Sequence, residues 1–582
     1  MGFHQFRLFT QRRFLPFFCT QAFGAFNDNV YKNSLLIIVT FNATAYSGVD
    51  PALLANLGNG LFILPYVIFS GVAGEIADRF DRALLMRAVK WCECFIMVIA
   101  GCGFMQHNIV LLLGALFLMG AHSTFFAPAK YGLLPDVLAG NELVGGNALL
   151  EMGTFVAILL GTLVAGLLSA QGNFVLLVYY MLGFAIIGLV SSLFVPRLAP
   201  AAPHLQIDWN LVRSSIRNLR AAQMDRVIFV AVLGISWFWF YGAVVLAQLP
   251  LYAKLQLHGT QSVVTLLLLC FSLGVGLGSL SCERLSRQHL EVGLVPFGAA
   301  GLSLFGIDLY FASQLPSDVV AVSWRAMLEQ SWGIRILCDL TLIGVSGGVY
   351  IVPLYALIQQ RAPRQLMARI ISAVSIWNAV FMVGAALLGA WLLRHGFTIP
   401  SLFLLVGTGS ALVMLGLSWR LPMLWLRALV WLVGVGPWRP RLIAESGAEL
   451  ATCSLLIGKN LSFGELLCIA ATVQRPKVLS LPAGTCWDSR RRGLFGTDAL
   501  PLAADDPKTG SPNAAPLPSQ FGAISSDVML SNMVEQNQST ALATAALYSA
   551  TVARTSGCWS LILSSVHPIT ESPGPREGTP SV

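Results

Sequence analysis

Charge is what this chain has least of. Asp, Glu, Lys and Arg make up 11% of its 582 residues, where a soluble globular protein carries about 25%. With a mean hydropathy of +0.71, that scarcity excludes a soluble enzyme and leaves an integral membrane protein. No basic stripe marks a nucleic-acid surface, so no nucleic-acid partner is expected, while the net charge of +8 suits an anionic lipid surface. The 11 cysteines are scattered, mostly within apolar runs. Cys92 and Cys94 are close, but no second pair completes a zinc site, so they read as small buried side chains and no metal or cofactor is expected. No cleavable leader is expected either: the first apolar run is too long for one and has no small-residue cleavage site. Histidine is absent between His395 and His567, which bears on the last third of the chain.

What the chain has in abundance is long apolar runs. About twelve of bilayer-crossing length precede Arg427, near 14–41, 52–76, 86–105, 109–129, 147–169, 173–195, 227–252, 261–281, 292–313, 335–358, 370–393 and 399–419. Basic residues alternate between the connections. One set holds Arg7, Arg12, Arg13, then Arg79, Arg82, Arg87, then Arg197, Arg213, Arg217, Arg220, Arg226. It continues with Arg284, Arg287, then Arg361, Arg364, Arg369, then Arg420 and Arg427. The other set holds only Lys254, Arg325, Arg335 and Arg394. Positive loops face the cytoplasm, so both termini are expected there. The connection 196–226 divides the spans six and six, giving a half over 1–195, a cytoplasmic linker over 196–226 and a second half over 227–427.

One span breaks the apolar rule. Within 14–41 stand Asn27, Asp28, Asn29, Lys32 and Asn33. A charge at mid-bilayer costs at least about 2.5 kcal/mol, so these residues face a protein interior or a water-filled cavity. Asp28 and Lys32, one turn apart, share a helix face and can pair. Two readings stand: an ion pair that locks the helix into a bundle, or a polar wall along a substrate path. Lys130, at the end of the fourth span, and Glu151, inside the fifth, are open to the same two readings.

The halves echo each other. Gly74-Glu75-Ile76-Ala77-Asp78-Arg79-Phe80-Asp81-Arg82 follows the second span, and Ser279-Leu280-Ser281-Cys282-Glu283-Arg284-Leu285-Ser286-Arg287 follows the eighth. Both read small-x-x-x-acid-Arg-x-x-Arg. Phe126-Ala127-Pro128 and Ile351-Val352-Pro353 repeat in the fourth and tenth spans. Two six-span halves with this loop resemble the major facilitator superfamily. The resemblance implies an all-α polytopic fold of twelve transmembrane helices in two six-helix halves. The loop's small residue permits close helix approach, and its acid can meet a helix N-terminus or an Arg across the seam. Gly74, Asp78, Arg79, Arg82, Glu283, Arg284 and Arg287 are therefore candidates for gating.

Residues 21–41, QAFGAFNDNVYKNSLLIIVTF, and 125–162, FFAPAKYGLLPDVLAGNELVGGNALLEMGTFVAILLGT, resemble the lysophospholipid-transporter branch of that superfamily. The match covers roughly residues 10–425 and implies inward movement of lysophospholipid across a bacterial inner membrane. On that resemblance Asn27, Asp28, Asn29, Lys32, Lys130 and Glu151 are the substrate-site candidates, with Lys32 and Lys130 suited to phosphate. The implied partners are the lysophospholipid, membrane lipids and, on separate chains, an acyltransferase or acyl-carrier-protein synthetase. The alternatives are a carrier of another amphiphile or drug, and a membrane-anchored glycerolipid acyltransferase.

Beyond Arg427 the composition changes. Lys459 to Ala471 resembles the first motif of glycerolipid acyltransferases, in outline Asn-His-x-Ser-x-x-Asp, and Leu494 to Pro507 resembles the next stretch. Glu577-Gly578-Thr579 resembles a later motif. In the first motif Asn460 stands where the His belongs and Glu465 where the Asp belongs. A neutral amide cannot take a proton from a hydroxyl near pH 7. Residues 428–508 thus read as a decayed, inactive acyltransferase-like segment, and 509–582, rich in Ser, Pro, Ala and Thr, as a disordered tail of a poorly ordered extension.

Overall fold

A computed structural model describes residues 4–41, 51–170, 174–286, 290–314 and 323–421, together with 423–435 and six short strands beyond. The chain divides into two compact units, Met1–Leu421 and Pro422–Val582.

The described elements of the first unit are all helices. Its first half holds α1 (Leu15–Phe41), α2 (Pro51–Arg79), α3 (Arg82–Met105), α4 (Ile109–Val137), α5 (Leu143–Ala170) and α6 (Phe174–Leu193). A shorter helix, α7 (Leu211–Gln223), lies in the connection between the halves. The second half holds α8 (Arg226–Leu255), α9 (Gln261–Leu285), α10 (Leu294–Ala312), the short α11 (Trp324–Glu329), α12 (Ser331–Arg361), α13 (Met367–Arg394) and α14 (Ile399–Arg420). Ten described helices are long and apolar enough to cross a membrane. α1 and α3, of 27 and 24 residues, have the length to do so and complete the twelve expected spans.

Helix starts are fixed where the sequence offers an acceptor. Asn108 caps α4 through the amides of Val110 and Leu111 at 3.0 and 3.2 Å, and Asp225 caps α8 through Val227 and Ile228 at 2.7 and 3.2 Å. The helices reach past the apolar runs: α4 continues through Pro128 and Pro135 to Val137, carrying Lys130 inside it. Packing against neighbouring helices satisfies such Pro-interrupted turns within a bundle.

Bundle and lipid surfaces divide cleanly. Tyr31, Met97, Phe104 and Met181 pack into a buried cluster between α1, α3 and α6, while Phe95, Tyr179, Leu304 and Leu412 face outward. Outward-facing bulky apolar side chains suit a lipid solvent. The halves meet along α2 with α13 and α5 with α9. The two sequence echoes fall in corresponding places. The acid–Arg loops end α2 and α9, the second helix of each half, and Pro128 and Pro353 lie inside α4 and α12, the fourth.

The second unit holds α15 (Met423–Val435) and a six-stranded sheet of order β1-β6-β5-β4-β2-β3. The strands are β1 (Arg441–Ala444), β2 (Leu455–Lys459), β3 (Lys477–Leu481), β4 (Val528–Ser531), β5 (Leu547–Thr555) and β6 (Cys558–Val566). β1 with β6 and β2 with β3 run parallel, and the other neighbours run antiparallel. The expectation of a disordered tail falls mostly outside the described residues; β4, β5 and β6 are its described parts. Asn460 and Glu465 also lie outside the described residues.

Candidate functional site

A cavity of about 300 Å³ lies inside the first unit, lined by α1 to α5 of one half and by α8, α12 and α13 of the other. Of the residues expected to form a polar wall, Asp28, Asn29, Lys32 and Lys130 line it; Asn27 and Glu151 do not. Asp28 and Lys32 share a face without pairing within 4 Å. Asp28 Oδ2 instead accepts from the Ser123 hydroxyl at 2.8 Å, and its Oδ1 has no hydrogen-bond partner among the described residues. The Lys32 ammonium stands 5.5 Å from the centre of the Phe62 ring. Lys130 donates to Thr154 Oγ1 at 3.3 Å and lies 4.8 Å from the Tyr131 ring. Neither Lys32 nor Lys130 has an ion-pair partner among the described residues.

Three residues not singled out in the sequence complete the picture. Lys90 and Glu93, on α3, form a fully buried ion pair of 2.6 Å. Glu93 also accepts from Asn27 Nδ2 at 2.9 Å, and His122 Nε2 lies 3.3 Å from its other oxygen. Asn27 is thereby drawn into a buried tie between α1 and α3. Gly24 of α1 makes room for this arrangement, since a Cβ there would collide with Lys90 Nζ. The signal for Lys90 and Glu93 was present in the sequence: both sit inside the apolar run 86–105, where charge demands the same explanation as in 14–41. Their spacing of three also brings them together on one turn. His122, a single residue in an apolar run, carried no such signal.

Glu151 is buried, accepting from the Tyr131 hydroxyl at 2.8 Å. The Tyr131 ring stacks on Tyr355 of the other half, with centroids 4.3 Å apart and planes 3° apart. These tyrosines stand three and two residues after Pro128 and Pro353, so the helices that carry the repeated Pro segments touch across the seam at this stack. The other named elements of the α1 polar stretch are satisfied within the bundle: Asn29 donates to Ala25 O and Asn33 to Thr162 Oγ1, each at 2.8 Å.

Toward the end of the bundle that carries the N-terminus, the halves are bonded together. Asp78, at the end of α2, accepts from the backbone amides of Ala368 and Arg369 at 3.0 and 3.2 Å. Those are first-turn amides of α13, a helix whose own Leu366 supplies no side-chain cap. A carboxylate there answers both the orphan amides and the positive end of the helix dipole. Asp78 also pairs with Arg82 at 3.1 Å and Arg369 at 3.3 Å. Asp136 joins Arg82 to Arg364, the latter at 2.9 Å. Gly74 lets the two helices close, since a Cβ there would lie 2.8 Å from Ser372 Cβ and 3.0 Å from Ala368 O.

The second-half loop makes a different contact. Glu283 is buried and accepts from the Gln5 amide at 2.9 Å, while Gln5 Nε2 donates to Leu280 O at 3.0 Å. Arg79 and Arg284 take no part in this closure: Arg79 lies over the Phe80 ring at 5.4 Å and Arg284 is exposed. Arg287 lies outside the described residues. Further across the seam, Gln359 of α12 donates to Tyr131 O at 3.2 Å and is hydrogen-bonded to Asn147 of α5.

Comparison with known proteins accords with this arrangement. The chain is 27% identical over 365 residues to the lysophospholipid transporter LplT of Escherichia coli strain SE11, covering 62% of this chain and 82% of that one. It is 26% identical over 399 residues to LplT of Klebsiella pneumoniae subsp. pneumoniae, covering 68% and 92%. Among solved structures, it shares its fold with the human organic anion transporter MFSD10, at a TM-score of 0.57 and 12% identity over 70% of this chain and 99% of that one. The fucose:proton symporter FucP of E. coli gives 0.52 and 13% over the same shares. The model of the Major Facilitator Superfamily matches residues 17–381, well over half of the sequence, and the chain belongs to that superfamily.

Proposed function

We propose that this protein moves lysophospholipid across a bacterial inner membrane by alternating access, with both termini cytoplasmic. The observation that carries the reading is a cavity between the halves that presents two lysines, Lys32 and Lys130, without an ion-pair partner and a carboxylate oxygen of Asp28 without a hydrogen-bond partner among the described residues. A phosphate with a neighbouring ammonium is complementary to that set: cations for the phosphate, a carboxylate for the amine. Lys90 is already neutralised by Glu93 and serves to hold the site. A volume of about 300 Å³ suits a glycerophosphate headgroup, leaving the acyl chain among apolar side chains such as Phe62 and Met382. The relatives are named as lysophospholipid transporters, and the spans are transport machinery rather than an anchor for catalysis. The contacts of Asp78 and Asp136 close the end bearing the N-terminus, and opening them while the halves rock would expose the site there.

The test is uptake of labelled lysophosphatidylethanolamine by spheroplasts, normalised to inserted protein. Lys32→Ala is expected to abolish uptake at normal expression, and Asp28→Ala with Lys32→Leu to insert normally without transporting. A double variant transporting at the wild-type rate would show that these residues only hold the bundle together. Normal transport of an unrelated amphiphile with no lysophospholipid uptake would favour a different cargo. The resemblance also implies that a separate acyltransferase or acyl-carrier-protein synthetase consumes the product.

A further inference from the structure

We propose that α7, in the connection between the halves, is an interfacial helix that binds an anionic phospholipid surface and clasps the lateral seam between α2 and α13. The first observation is its placement. Asn218 donates to Gly71 O at 2.8 Å on α2 and to Ser372 Oγ at 2.9 Å on α13, so one buried side chain bridges the two halves. Arg217 binds Glu75, whose other oxygen accepts from the Asp208 amide at 2.8 Å. Gly71 permits the contact, since a Cβ there would lie 2.6 Å from the hydroxyls of Ser214 and Ser215. It stands eight residues before the end of α2, about 12 Å along the helix axis. α7 therefore lies beside the last two turns of α2 rather than beneath them. α2 has 29 residues and a length of about 43 Å, enough to cross both headgroup layers. Its last turns, and α7 beside them, sit at headgroup depth.

The second observation is what α7 turns outward. Ser214, Asn218 and Ala222, four apart, form its buried stripe. On the opposite side Val212 is 69% exposed, Ile216 44% and, just beyond the helix, Met224 80%; Trp209, just before it, is 72% exposed. Between these stand Arg213, whose side chain is 75% exposed, and Arg220, also exposed. Arg213 is only loosely associated with Asp208, at 3.9 Å, and Arg220 has no ion-pair partner among the described residues. Apolar residues with a tryptophan at one end and arginines interleaved are the composition of a helix lying in the headgroup plane. The positive charge selects an acidic lipid, and the neighbouring ends of α2 and α13 carry the same membrane surface onto this face.

The test is hydrogen–deuterium exchange of the full chain in nanodiscs of phosphatidylcholine alone and of phosphatidylcholine with phosphatidylglycerol. Amides of 211–223 are expected to exchange more slowly in the acidic discs. Arg213→Gln with Arg220→Gln should erode that difference, by roughly fivefold per arginine, and Arg213→Lys with Arg220→Lys should restore it. Val212→Ser with Ile216→Ser should raise exchange in both lipids. The first turns of α13 report separately on the Asn218 contact and should not change. Equal exchange of 211–223 in both lipids and in detergent would overturn the proposal, as would wild-type exchange in the glutamine and serine variants. Loss of protection in α13 together with failure of the lysine variant to restore α7 would show a purely structural clasp, which also overturns it.

Discussion

Replacing Asp78 by Asn removes one charge from a carboxylate that four donors share. In the closed arrangement its oxygens accept from the Ala368 and Arg369 amides, from Arg82 and from the Arg369 guanidinium, all within 3.0–3.3 Å. An Asn side chain keeps the shape and one acceptor, but its NH₂ then faces donors. Removing one partner from a buried ion pair costs about 3–5 kcal/mol. The α13 dipole adds a share of up to about 2 kcal/mol that is not separable from the pair. Taking about 3 kcal/mol as the loss, the closed arrangement becomes about a hundredfold less favoured against any arrangement that lacks these contacts. Each half stays intact, because three of the four lost bonds lie between α2 and α13 and the fourth, to Arg82, leaves that guanidinium still paired with Asp136 in its own half. The expected outcome is a protein inserted at wild-type level with impaired transport. A distance measurement between spin labels at the ends of α2 and α13 should broaden or shift toward separation. Binding of lysophospholipid to the variant should survive. If binding is lost while the label distances cycle normally, Asp78 belongs to the substrate site. If transport and distances are both unchanged, the closure does not depend on this carboxylate.

The Lys90–Glu93 pair offers a cleaner separation of charge from shape. Glu93→Gln leaves Lys90 buried without its counter-charge and is expected to lower thermal stability in detergent by the equivalent of about 3–5 kcal/mol, whereas Lys90→Met with Glu93→Gln should recover most of it; equal stability of the single and double variants would refute the pairing. Outside the membrane spans, burial works against the charged form of Asp225, but the Arg361 side chain and two backbone amides outweigh it and hold its carboxyl below the ordinary 3.8. Because the folded value lies below the unfolded one, its contribution is present above about pH 4 and is lost as pH falls through the folded value. Asp225→Asn should therefore flatten the acid limb of the stability profile below that pH and lower stability at neutral pH, as read by thermal melts across the range.

The sequence by itself determined the solvent, the span count and the repeat. It could do so because insertion in lipid is a cost each residue meets alone, so 20-residue apolar runs and stray charges are visible without knowing any neighbour. The Gly74–Arg82 loop was legible for the same reason: its small residue, acid and arginines keep a fixed spacing at one helix end. Local rules marked Asn27, Asp28, Asn29, Lys32, Lys130 and Glu151 alike as wall or tie, and only the packing puts four of them, Asp28, Asn29, Lys32 and Lys130, along the cavity. What they could not decide is which charges cancel. Asp28 and Lys32 are one turn apart yet unpaired, since Ser123 of α4 takes the carboxylate and Phe62 of α2 lies beside the ammonium. Asn27, one residue from Asp28, faces the other way, to Glu93. α7 is not legible in the sequence because its buried stripe is Ser214, Asn218 and Ala222, a polar seam that becomes an inside face only where α2 and α13 meet. Pairing and closure depend on which helix faces which, and only tertiary packing sets that.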